Sequence, residues 1–191
     1  ILGHRVSEWC GHGPILEEDI ALTNIALDLV GQATNFLEYA ATLDEQKRNS
    51  DQLAFLRFDR DYRNLLLVEQ KNEDFGVTIT RQFFFDAFRR LFFEELCKSK
   101  DETLAAIAEK SLKETKYHLK HSSEWVIRLG DGTEESHEKM QSALDDLWKY
   151  SAELFYQDDV DEDLIENGII PAVDAIKGEW DVLVRNVLEQ A

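Results

Sequence analysis

Apolar side chains recur along this chain at intervals of three and four residues, and no run alternates apolar with polar as a half-buried strand would. The spacing predicts a short helix over roughly residues 1–10, broken at Gly11-His12-Gly13. A long helix follows from Pro14 to about Thr42, with Glu17, Glu18 and Asp19 in its first turn, where the helix dipole favours negative charge. After a polar stretch (DEQKRNSD), an amphipathic segment runs from Gln52 to about Leu67. Further helices are predicted from about Thr78 to Lys98 and from about Asp101 to Leu129. Thr133 N-caps another that reaches about Tyr156, an acidic linker follows, and a last helix opens at Pro171. Four long helices with short joints predict an all-α antiparallel bundle, with residues 1–191 as a single domain.

Each helical residue turns about 100°, so shared faces follow from spacing. In KETKYHLKHSSEW, Glu114, His118 and His121 align with Ile107 and Trp125, while Lys113, Lys116 and Lys120 fall on the other side. One helix earlier, Asp86 shares a stripe with Ile79, Phe83, Phe93 and Cys97, flanked by Gln82, Arg89 and Arg90. Helical di-iron proteins carry Glu-x-x-His at such a position. Here the offset reads Asp86-x-x-Arg89, and a guanidinium pairs with carboxylates but cannot ligate a metal. The string Glu134-x-x-His137 also occurs, but in a first turn beside the N-cap, where capping explains its acid. The following helix turns Met140, Ala143, Leu144, Leu147 and Leu154 inward and Asp145, Asp146 and Glu153 elsewhere. These residues favour no metal ligand set: Glu114, His118 and His121 read as a buried hydrogen-bonded or ion-paired network with Arg89 or Arg90. In the second helix, Asp28 lies on a stripe with Asn24, Gly31, Gln32 and Asn35, which is either a wetter contact surface or plain exposure.

Composition narrows the function classes. A net charge of −18 argues against nucleic acid and anionic membranes, and makes the chain alone a poor site for an anionic coenzyme A thioester. The two cysteines, Cys10 and Cys97, match no zinc or redox spacing and read as reduced thiols of a cytoplasmic protein. The chain starts at Ile1 and holds one methionine, Met140, so truncation at both ends is expected. Asp159, Asp161 and Asp163 alternate as in a calcium loop, but Leu164 and Ile170 stand where Gly and Glu are needed. That run reads as a solvated linker that starts a helix.

The strings SEWCGHGPILEEDIALTNIALDLVGQA, RNLLLVEQKNEDF, RQFFFDAF and KYHLKHSSEWVIRLGDGTEESHEKMQ carry a family likeness over nearly the whole chain. They resemble the PaaC family, subunits of the bacterial ring-1,2-phenylacetyl-CoA epoxidase of aerobic phenylacetate degradation. The resemblance implies a ferritin-like four-helix bundle with additional short helices and a non-catalytic, structural part in a hetero-oligomeric monooxygenase. It further implies a di-iron centre in the sister subunit, PaaA, and a reductase using NADPH, flavin and an iron–sulfur cluster. No metal, cofactor or catalytic residue is then expected in this chain, with Asp86, Arg89, Glu114, His118 and His121 marking a degenerate site. The competing reading is a di-iron oxygenase in its own right, using Asp86, Glu114, His118 and His121. Iron storage is a third, disfavoured by the lack of inward ligands on every helix.

Overall fold

The computed structural model describes all residues, Ile1–Ala191. Every regular element is helical: α1 (Leu2–Ser7), α2 (Leu16–Leu43), α3 (Ser50–Phe55), α4 (Leu66–Glu69), α5 (Phe75–Leu96), α6 (Glu102–Gly130), α7 (Glu134–Trp148), α8 (Asp159–Glu166) and α9 (Lys177–Leu188). Short 3-10 turns cover Asp59–Asp61 and Ser151–Phe155. The chain divides into two compact units, Ile1–Leu65 and Leu66–Ala191.

In the first unit, α1 packs on α2, and Leu2 and Val6 are buried, as are Leu22, Ile25 and Ala26. Gly3 permits that approach: a Cβ there would lie 3.1 Å from Val30 and 3.3 Å from the Ala26 carbonyl oxygen. The helix α2 starts two residues after Pro14, because the Asp19 carboxylate reaches back to accept from the Gly13 N–H at 3.0 Å. The amphipathic segment expected over 52–67 is not one helix. It breaks after Phe55, where the Tyr62 hydroxyl donates to the Ala54 carbonyl at 2.7 Å. The Asp61 carboxylate then accepts from the Phe58 N–H and starts the 3-10 turn.

In the second unit, α5 is the hub, packed against α4, α6, α7 and α9. It is buried around its whole circumference, polar residues included, as a central helix must be. Its Asp74 N-cap accepts from the Val77 N–H at 2.8 Å, so it begins three residues before the expected Thr78. Phe84 and Trp180 meet edge to tilted face with Trp148 and Phe155 beside them, and Trp180 Nε1 donates to the Phe84 carbonyl at 3.1 Å. Arg81, fully buried, donates to the Gln70 carbonyl and to Asn72 Oδ1, tying the loop after α4 to α5.

Three boundaries differ from the periodicity, each for a local hydrogen-bonding reason. The helix from Thr133 ends at Trp148, whose carbonyl accepts from the Ser151 hydroxyl at 2.8 Å instead of from a continuing helix. The acidic run does start a helix, α8, because Asp158 caps the N–H groups of Val160 and Asp161 while Asp161 accepts from Asp158. Gly168 then ends α8 at φ +72°, and its carbonyl accepts from Lys100 at 2.9 Å, joining α8 to the turn between α5 and α6. The last helix begins at Lys177, not Pro171, since Val173 is held as a turn by donating to Gln157 Oε1.

Candidate functional site

The polar residues singled out on α5 lie inside the second unit. Asp86 is 1% exposed and Arg89 5% exposed, one turn apart on the same helix. Arg89 Nη1 lies 3.3 Å from Asp86 Oδ1, and Arg89 Nη2 donates to Thr115 Oγ1 on α6 at 2.9 Å. The Ser122 hydroxyl, also on α6, lies 3.2 Å from Asp86 Oδ2. Phe85 and Phe93 place their rings 5.5 and 5.7 Å from the guanidinium carbon. The four polar groups thus bridge α5 and α6 in a dry, aromatic setting. Burial pushes the Asp86 carboxyl up to about 7, against the opposing pull of the Arg89 charge and the Ser122 hydrogen bond.

The α6 partners are not all the ones its sequence advertised. The buried stripe of α6 runs through Ala108, Ser111, Thr115, Ser122 and Val126, with His118 also fully buried. Glu114, His121 and Trp125 are half-buried on its flank. The expected face is therefore rotated by roughly a quarter turn, and His118 is where the two overlap. Small and hydroxyl-bearing residues face α5, because they let the two helix backbones approach closely. Thr115 and Ser122, which complete the Asp86–Arg89 network, leave no mark on a pattern weighted by large apolar side chains. Their signal is the spacing Ser111, Thr115, Ser122, at four and seven residues.

Glu134 and His137 stand in the first turn of α7, as the N-cap predicts. Thr133 and Ser136 form a reciprocal capping box, and His137 Nδ1 lies 2.7 Å from the Gly130 carbonyl, closing the end of α6. That nitrogen is occupied as a donor. On α7 the buried positions are Met140, Ala143 and Leu147, with Asp145 and Asp146 exposed. Glu153 accepts from the Leu66 N–H at 2.7 Å.

A di-metal centre needs carboxylates and imidazoles converging at one depth on facing helices. Within the second unit no three His, Cys, Asp or Glu side chains converge in that way. The guanidinium of Arg89 sits instead beside Asp86, presenting positive charge and N–H donors where a cation would need lone pairs. The residues around Asp86 do not fit a bound iron pair.

The model of the phenylacetic acid catabolic protein family, which joins PaaA and PaaC, matches residues 1–191. One component of the 1,2-phenylacetyl-CoA epoxidase of Escherichia coli (strain K12), its PaaC-type subunit, is 49% identical over 191 residues, covering 100% of this chain and 77% of that protein. No helix is long and apolar enough to cross a membrane.

Proposed function

Because the chain belongs to the phenylacetic acid catabolic protein family, we propose that it is a non-catalytic subunit of a multicomponent phenylacetyl-CoA 1,2-epoxidase in aerobic phenylacetate catabolism. It pairs with a di-iron sister subunit of the PaaA kind and holds that partner's ligand-bearing helices in register. The observation that carries this reading is Arg89, whose buried guanidinium stands at the offset where Glu-x-x-His would place an imidazole and is bonded to Asp86 and Thr115. In this reading the fold is a ferritin-like four-helix bundle, the Asp86 region is a metal site turned into a structural one, and the complex works in the cytoplasm. Iron belongs to the partner, and NADPH, flavin and an iron–sulfur cluster to a separate reductase. The net charge of −18 supports the division of labour, since an anionic thioester is better held by another chain.

Metal analysis tests it. The purified full-length chain is expected to carry no stoichiometric iron and to elute at larger size once the catalytic partner is added. About two irons per chain with an oxo-bridged optical band would contradict the proposal and favour an independent oxygenase built on Glu114, His118 and His121.

A further inference from the structure

One face of α2 has no role in the chain's own packing. Leu16, Ile20, Leu27 and Val30 are 72%, 53%, 65% and 44% exposed. With Thr23, Asn24, Gly31 and Thr34 they fall within one 120° arc of the helix, and no charged residue enters that arc before Glu38. The stripe runs about 27 Å. An uncharged helix face of that length is out of keeping with a chain that is 31% charged. Four large aliphatic side chains on one exposed arc mark a surface made for contact.

Gly31 sharpens the point. It sits in the middle of a 28-residue helix, where glycine costs about 1 kcal/mol against alanine. A Cβ at this position would meet nothing within 4 Å, so the chain's own packing does not require glycine here. Its flat surface serves a contact from outside the chain.

The charges bordering the face choose the occupant. Among its 28 residues α2 carries Glu17, Glu18, Asp19, Asp28 and Glu38 and no lysine or arginine. A second copy would set acidic borders against acidic borders, each within a chain of net charge −18. A helix with an apolar stripe flanked by lysine and arginine is complementary instead. The stripe offers roughly 270 Å² from its length and a helix width of about 10 Å. A stable interface takes about 800 Å² per partner, so an isolated peptide would be held weakly and a folded subunit is required. We infer that the Leu16–Ile20–Leu27–Gly31 face of α2 docks a basic-flanked helix of a different subunit of the same complex. This deepens the subunit reading and rests on it.

The test uses the full-length chain co-purified with the other epoxidase subunits. Gly31→Arg places a cation on the face without an internal clash, and Ala33→Arg adds the same charge at an exposed position outside the arc. The expected result is at least about tenfold weaker complex formation for Gly31→Arg, little change for Ala33→Arg, and wild-type helicity and melting temperature for both. Leu27→Glu gives the same loss, and rising salt weakens the wild-type complex. If Gly31→Arg and Leu27→Glu both assemble like wild type, the docking face is wrong while the subunit reading stands. No complex from the wild-type chain contradicts the subunit reading itself. Exchange-protected α2 amides in the isolated full-length chain, or a self-dimer lost in Gly31→Arg, would give the face to the chain's own segment or to a second copy and overturn the inference.

Discussion

At the scale of single residues, Asp86 and Arg89 behave as a unit whose cost depends on pH. The folded-state value of Asp86, about 7, lies above its ordinary value near 3.8. Above pH 7 the folded protein holds a buried carboxylate. As pH falls from 7 towards 4 the folded chain takes up a proton that the unfolded chain does not, so this group's contribution rises, reaching its full value below 4. Urea titrations of wild type and Asp86→Asn are expected to diverge in that window, with wild type gaining on the variant as the medium is acidified. Equal pH slopes would contradict the burial of this carboxyl. Arg89→Met leaves Asp86 without its cation and is expected to cost about 3–5 kcal/mol at pH 8, and less at pH 5, where Asp86 is protonated. The same readout checks it.

At the scale of elements, the core of the second unit depends on α6 presenting small side chains to α5. Ser111 is fully buried in that contact. Ser111→Leu is expected to destabilise by about 1–3 kcal/mol through overpacking, whereas Lys113→Leu on the exposed side stays within about 0.5 kcal/mol. Thermal melts of the two variants compare them directly, and equal melts would mean that α6 is not in close contact there. Asp158→Ala removes the cap of α8 and is expected to speed amide exchange in residues 159–166 by the equivalent of about 1 kcal/mol. The long helices α2, α5, α6 and α7 were legible from periodicity because each sustains a pattern over several turns. The end of α3, the stop of α7 and the start of α9 were not, because single side-chain hydrogen bonds from Tyr62, Ser151 and Gln157 set them. The offset Asp86-x-x-Arg89 was readable and its burial followed. The facing Thr115 and Ser122 were not, since small hydroxyl residues do not register in an apolar pattern, and the choice of face belongs to helix–helix packing.

At the scale of the whole molecule, an acidic chain with buried polar pairs and an uncharged exposed helix face is suited to assembly and poorly suited to holding an anionic substrate alone. Its all-helical architecture and its family were legible in the sequence, because long blocks such as DIALTNIALDLVGQA carry both the helical spacing and the likeness. The central claim is that the chemistry belongs to a partner. Counting iron separately in each subunit of the complex, purified from full-length chains, tests it most directly. The account predicts iron with the catalytic partner and none retained by this chain after the two are separated; about two irons per copy of this chain, held in the absence of any partner, would contradict it.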